Sequence, residues 1–385
     1  MCVINIHSTY MNVYTKSYHA HGLYSMMVVW RGGDNLVSGL ECRHATAALP
    51  LWIRAQVWVA ATLLLTTLGV PHVAYGESAT VRFSHNVGLG YLPLYVMREQ
   101  KLVEQQAHVA GLGEVETTYQ AVPGPGPIND ALISGNTDFG IAGIQGMIIA
   151  WDKTRGRMGI KGLAPIGTNP AYFNTNNPDL HGLSDLSDRD RIALPTVKVA
   201  SQAYALEYAS EKLYGPGQYD HFDHLTVSLG HPDALVALMG GGAGITAHFA
   251  TEPYHLIELQ NPKIHTVTSD EQIYGQRLTS TAMWTTTRFH DANPALCKAV
   301  LKALEIADAF IVAHPDEAAR IFIRVDGGHF PLELVERALS GLSYGTSPTG
   351  IASQAGLMKQ VGAIGTAPAN WKELFFSDVY DRDGN

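Results

Sequence analysis

The chain has 385 residues, 35 acidic against 26 basic, for a net charge of −9, and 46% of it is hydrophobic. That length accommodates two domains of ordinary size with packed cores. The acidic balance disfavours nucleic acid and anionic membrane as partners, but it does not fix the sign of a small ligand, because a buried site sets its own local field.

Residues 1–50 show no clear periodicity and read as lying ahead of the true translation start, the alternative being a real N-terminal extension. Residues 57–68 (VWVAATLLLTTL) form an apolar run with Arg54 before it and the small-residue stretch Ala74-Tyr75-Gly76 after it. A basic flank, a short apolar core and a small-x-small site make a secretory signal. The run is shorter than the ~20 apolar residues a membrane span needs. Residues 1–76 are therefore read as a leader, with the working protein starting near Glu77, soluble and periplasmic. Four basic and two acidic residues precede Glu77, which leaves the remainder at −11. Of Cys2, Cys42 and Cys297, only Cys297 lies beyond the leader, so no intramolecular disulfide is expected. Cys42 precedes the apolar run and so cannot be a lipid-anchor cysteine at the cleavage site.

From Glu77 onward, short β-like runs alternate with helical patterns. Strands are predicted over 81–84, 116–122, 139–142 and 163–167, and helices over 92–104, 127–134 and 146–152. This spacing implies a largely parallel sheet with helices on both faces. The polar stretch from Asn169 to Pro178 is dominated by turn residues. The alternation then restarts, with strands at 192–194, 225–228, 245–249 and 264–268 and helices at 201–214 and 232–239. A second break near 274–279 precedes a strand at 280–286. Asn293 then caps a helix with Pro294 in its first turn. Leu296, Val300, Leu304, Ala307 and Ile311 form one face of it, and further helices follow at 315–323, 331–342 and 352–361. The expected organisation is bilobed, with 77–174 in the first lobe, 175–278 an inserted second lobe and 279–385 returning to the first. The crossings are expected near 172–177 and 274–279, and the ligand crevice lies at strand carboxyl ends between the lobes.

Several segments carry a likeness to a known family. They are Leu92-Pro93-Leu94-Tyr95-Val96, the run from Asn129 to Gly140 containing ALISGNTDFG, and Leu183-Ser184-Asp185-Leu186 before Arg191-Ile192-Ala193-Leu194-Pro195. His231-Pro232-Asp233-Ala234-Leu235, Glu252-Pro253-Tyr254 and the run from Met358 to Ile364 with Trp371 complete the set. Over essentially all of the chain beyond the leader, this resembles the nitrate/sulfonate/taurine-type periplasmic substrate-binding proteins of ABC importers, which share a fold with thiamine-precursor synthases. The chain departs from the family at Lys101-Leu102-Val103-Glu104, where a Gly-Phe-Phe step is common. It departs again at 187–191, where a Gly-Lys is usual. The resemblance implies an α/β, bilobed periplasmic-binding-protein fold (type II), two α/β lobes joined by two crossings. It implies capture of a small solute, delivery to an ABC permease and its ATPase, and no catalysis. The alternatives are an enzyme on the same fold, of the thiamine-precursor-synthase or sulfinate-cleaving type, and a ligand-sensing domain for a receptor. The enzyme families' cysteine-rich motif and first-lobe cysteine nucleophile are absent from this sequence.

The loop Gly88-Leu89-Gly90-Tyr91 follows a strand and opens a helix, but it lacks the third glycine and the acidic residue of a dinucleotide fingerprint. It places His85, Asn86 and Tyr91 near the cleft. Pro123-Gly124-Pro125-Gly126-Pro127 is either a plain turn or a device presenting amides. Prolines remove two donors and leave the N–H groups of Gly126, Ile128 and Asn129 for an anion. Ser201 reads as a helix cap, and the resemblance places Ser201 and Gln202 at the ligand. His248 and Glu252 stand at a strand end, which favours the cleft over the core. The run 240–244 lacks the Gly-Lys-Ser/Thr ending of a phosphate loop and reads as a helix C-terminal turn. Cys297 lies on an apolar stripe and reads as core. Scattered histidines give no short-spaced ligand cluster, so no metal, cofactor or nucleic acid is expected. The solute is expected to be small and anionic, such as a sulfonate, taurine or nitrate, and the protein a monomer.

Overall fold

A computed structural model describes residues 14–20, 23–32, 35–37 and 76–385, except 242, 243 and 328. The apolar run 57–68 and the Ala74-Tyr75-Gly76 cleavage site, apart from Gly76, fall outside the described residues. Residues 1–75 and 76–385 are separate compact units.

In the first unit, β1 (Tyr14–Ala20), β2 (Leu23–Gly32) and β3 (Asn35–Val37) pair antiparallel in that order. The sequence reading assigned no element here. The signal it passed over is three runs, 14–20, 23–32 and 35–37, separated by His21-Gly22 and Gly33-Asp34, short breaks of hairpin type.

The second unit contains two sheets. The larger has six strands and orders β14 (Ser343–Tyr344), β7 (Ile160–Thr168), β13 (Thr281–Thr286), β6 (Phe139–Gly143), β4 (Thr80–His85) and β5 (Glu116–Ala121). Strands β5, β4 and β6 are parallel, whereas β13 runs antiparallel to β6 and β7. The smaller sheet has five strands and orders β10 (Thr226–Ser228), β9 (Ile192–Leu194), β11 (Ala247–Thr251), β8 (Ala171–Thr175) and β12 (His265–Ser269). Here β8 is antiparallel to both neighbours. Both sheets are thus mixed where the sequence reading expected largely parallel ones: β13 and β14 run against the other strands of the large sheet, and β8 against those of the small one.

Strand β8 also corrects the reading of the 169–178 segment as loop. Ala171 and Phe173 are buried, and Tyr172 pairs with Ala250 in register. The chain passes from the large sheet to the small one at Asn169 and Pro170 and returns over residues 275–280. The first crossing therefore comes earlier than the expected 172–177. Asn and Pro at the flanks mask a strand of only five residues.

Around the large sheet pack α1 (Leu92–Glu99), α2 (Leu102–Val109), α3 (Pro125–Ile133), α4 (Ile144–Thr154) and the 20-residue α10 (Pro294–Ala313). The predicted single helix over 92–104 is broken at Lys101, which adopts a left-handed φ of 52°. The break lets both pieces turn buried faces, Leu92 and Val96, then Leu102 and Val103, onto the same core. Helix α10 starts at the predicted place but is capped differently. The Asn293 side chain accepts from Ser78 N–H, and the Glu77 carboxylate takes the N–H groups of Ala295 and Leu296 at 2.9 and 2.6 Å. Opposite charge at a helix N-terminus explains that arrangement. Cys297 is fully buried on the same helix. Among the described residues, no helix is long and apolar enough to cross a membrane.

Candidate functional site

The strand ends of the two sheets face each other across a cavity. The large sheet contributes Asn86 after β4, Gly143 at the end of β6, and Ser280 and Thr281 at the start of β13. The small lobe contributes Pro195 after β9, Ser201 and Gln202 at the start of α5 (Ser201–Tyr214), and His231 at the start of α6 (His231–Gly240). Thr251 closes β11, and Asp270 follows β12. A second space adjoins it and shares Asn169, Ser201, Asp270 and Ser280.

Direct bonds close the lobes over this space. Ser201 Oγ donates to Gln145 Oε1 at 2.7 Å, Gln145 donates to Gln354 at 2.6 Å, and Gln354 donates to the Thr279 carbonyl at 3.0 Å. The Leu89 N–H donates to the Glu252 carbonyl at 3.0 Å. Gly143 and Gly124 permit this approach. A Cβ on Gly143 would strike Ser201 Oγ, and one on Gly124 would strike the Thr196 hydroxyl. Gly124 also has φ 83°, a conformation that favours glycine.

The sequence-derived candidates divide into two groups. Asn86, Tyr91, Ser201 and Gln202 line the cavity together. His85 lies behind the β4 end, its Nδ1–H donating to the Asn86 carbonyl at 2.8 Å and its ring edge-on to Tyr95. Burial lowers its pKa. Helix α3 begins at Pro125, two residues earlier than predicted, so Ile128 and Asn129 sit within the helix rather than at its free start. Ile128 is fully buried, and Asn129 bridges the Gly146 carbonyl and the Trp284 indole N–H at 2.9 and 3.1 Å. Gly126 lies against Thr196 outside the cavity lining. Ser201 is the first residue of α5, and its hydroxyl is committed to Gln145 rather than to a cap.

His248 and Glu252 also stand behind the wall. Glu252 is 4% exposed, one carboxylate oxygen has no partner, and burial pushes its carboxyl up to about 7. His248 belongs to a buried hydrogen-bond chain. Its Nε2 meets His231 Nδ1 at 2.9 Å, and its Nδ1 meets Glu258 Oε1 at 2.5 Å. Glu258 Oε2 accepts from Asn174 at 2.7 Å. At the cavity end, His231 Nε2 meets the Thr251 hydroxyl at 3.2 Å. Burial, followed by the neighbouring His248, drives the His231 pKa well down.

The sequence reading missed His231, Thr251, Asp270, Asn169 and Gln145 as lining or closing residues. His231-Pro232 opening a helix after a strand was the available signal for the first. Asp270 lies beside Ser269, whose side chain caps the following helix, a pattern that reads as capping alone. Its carboxyl is pushed up to about 7 by loss of solvent. Among the described residues, no group of His, Cys, Asp and Glu is placed to hold a metal ion.

No protein-family model matches this sequence, and no curated protein does. Solved structures do. The alkanesulfonate-binding protein SsuA from Xanthomonas axonopodis pv. citri, bound to MOPS, aligns with a TM-score of 0.60 at 18% identity, over 76% of this chain and 96% of that one. A Candida albicans gene product described as having the generic periplasmic binding protein structural fold aligns at 0.57 and 14% identity, over 75% and 92%. The chain has the periplasmic-binding-protein fold. The nitrate-binding protein NrtA from Synechocystis PCC 6803 shares this binding-protein fold at 0.54 and 16% identity, over 68% of this chain and 70% of that one. In such a two-lobed α/β fold the space at the strand ends is where a ligand sits.

Proposed function

We propose that this chain is the solute-binding component of an ABC importer, exported to the periplasm, which closes two lobes on a small solute and presents it to a permease and its ATPase. The observation that carries the reading is the cleft at the strand ends, lined from both sheets and bridged by Ser201 to Gln145 and by Leu89 to Glu252. A hinge at two thin crossings, residues 169–170 and 275–280, suits closure around a ligand. The solute is small and carries an anionic group of the sulfonate, taurine or nitrate kind, held by neutral donors such as Tyr91 and Gln202. The protein works as a monomer without catalysis. Cys297 fits that role, because burial raises its thiol pKa and leaves it a poor nucleophile.

The test is thermal stabilisation of the full chain by sulfonates, taurine, nitrate, aromatic carboxylates and thiamine precursors. At least one should raise the melting temperature and compact the particle in X-ray scattering. Tyr91→Ala and Ser201→Ala should each weaken that effect without unfolding the protein. Unchanged melting and scattering with every compound would overturn the reading.

A further inference from the structure

One chain of hydrogen bonds runs from the cleft to the hinge. Thr279, in the return crossing, is buried and pinned twice to Thr349. Its N–H donates to the Thr349 carbonyl at 3.0 Å, and its hydroxyl oxygen accepts the Thr349 N–H at 2.9 Å. The Thr279 carbonyl can only accept, so the Gln354 amide nitrogen must face it, at 3.0 Å. That turns the Gln354 oxygen to the Gln145 amide nitrogen at 2.6 Å, and the Gln145 oxygen to the Ser201 hydroxyl at 2.7 Å. No member of the chain titrates, so its direction is settled by geometry alone.

A serine hydroxyl has one hydrogen, and here Gln145 takes it. Ser201 lines both spaces at the strand ends, yet in this arrangement it has no hydrogen left for a solute. Gln145 and Gln354 are buried and line only the second space, towards the hinge. Gly143, just before α4, leaves room for the hydroxyl to reach Gln145, because a Cβ there would push it aside. Ser201 opens a helix of the small lobe, whereas Gln145 and Gln354 stand on helices packed in the large one. The bond from Ser201 to Gln145 therefore breaks whenever the lobes part.

We propose that Gln145 is a positioning residue for closure. It holds Ser201 as a latch across the cleft and, through Gln354, ties that latch to the hinge crossing at Thr279. The latch is made between protein groups alone, so the lobes close and hold without a solute, and a solute enters during brief openings. This rests on the two-lobed closure of the reading above.

The reporter is the Leu89 N–H, whose bond to the Glu252 carbonyl also crosses between the lobes but involves none of these residues. It exchanges with deuterium only when the lobes part. In the full chain without solute, Ser201→Ala and Gln145→Met should each speed its exchange about fivefold, the scale of one neutral hydrogen bond. Gln354→Met, one link further from the cleft, should speed it too. Combining Ser201→Ala with Gln145→Met should add little, because either change alone removes the latch. The Gly162 N–H, bonded to the Leu374 carbonyl inside the large lobe, should keep its wild-type rate and so report an intact fold. The proposal is overturned if Leu89 is already unprotected in the wild type, or if any single variant leaves it at the wild-type rate. It is overturned equally if the effects of Ser201→Ala and Gln145→Met multiply, or if Gly162 accelerates in step. The importer reading fails separately, when no compound of the solute panel stabilises the chain.

Discussion

Replacing Glu258 with leucine should unfold the smaller lobe more readily than any surface change. The carboxylate is fully buried and accepts from His248 at 2.5 Å and from Asn174 at 2.7 Å. Leucine leaves the His248 donor without a partner and Asn174 with only the His255 carbonyl at 3.4 Å, and each buried unsatisfied group costs about 1–3 kcal/mol. Hydrogen bonds to a carboxylate are of the stronger kind, worth about 1.5–3 kcal/mol each. Relief of the carboxylate's own desolvation offsets part of this, so a loss of about 3–4 kcal/mol is expected. The six tryptophans, Trp30, Trp52, Trp58, Trp151, Trp284 and Trp371, all lie outside residues 171–274. Urea unfolding followed by far-ultraviolet circular dichroism therefore sees the small lobe, while tryptophan fluorescence does not. The dichroism midpoint should fall well below wild type and precede the fluorescence transition. Glu258→Gln keeps the shape and one acceptor and should cost less, on the order of 1–2 kcal/mol. A loss below ~1 kcal/mol for the leucine variant would show that the chain from His231 to Glu258 is not held together by this carboxylate.

Stability should fall as pH rises from 6.5 to 8. Glu207, pushed up to about 8 by burial and then by Asp223, and Glu252 and Asp270, each near 7, hold protons in the folded state that the unfolded chain has released. Their stabilisation is complete below the unfolded carboxyl range and is lost through 7 to 8. His255, lowered to about 4 by burial, acts oppositely, but only below the unfolded histidine range near 6.5. Chemical denaturation at three pH values checks this, and a rise in stability over the interval would contradict it. Glu77→Ala removes the acceptor for two helix-start N–H groups and should cost about 1 kcal/mol, read from the urea midpoint. Cys297→Ala should lower stability by on the order of 1 kcal/mol and leave solute affinity unchanged; a loss of binding with the fold intact would point to an active thiol. Gly124→Ala combines a positive φ with a clash against Thr196 and should widen the closed particle in scattering; an unchanged radius would show that the lobes do not meet there.

The alternation of short strands and helices carried the two-lobed α/β organisation by itself, because period-2 and period-3.6 patterns are local properties of the residues. The start of α10 at Pro294 and the start of α5 at Ser201 were legible for the same reason. Asn86 and Tyr91 could be named as lining candidates because they follow a strand end, and Ser201 and Gln202 because the family resemblance puts their loop at the ligand. The five-residue β8 was not legible, since Asn and Pro flank it and its register partners Ala247 to Thr251 lie more than seventy residues away. Nor could the sequence say that Asp270 takes the Ala171 N–H, or that His231, His248, Glu258 and Asn174 form one chain. Those neighbours come from four separate segments that only strand pairing brings together. Hydrogen-bond direction is decided last, because whether a histidine nitrogen donates or accepts depends on the partner the fold places against it. Local propensity therefore settled the elements, and tertiary pairing settled the chemistry of the cavity wall.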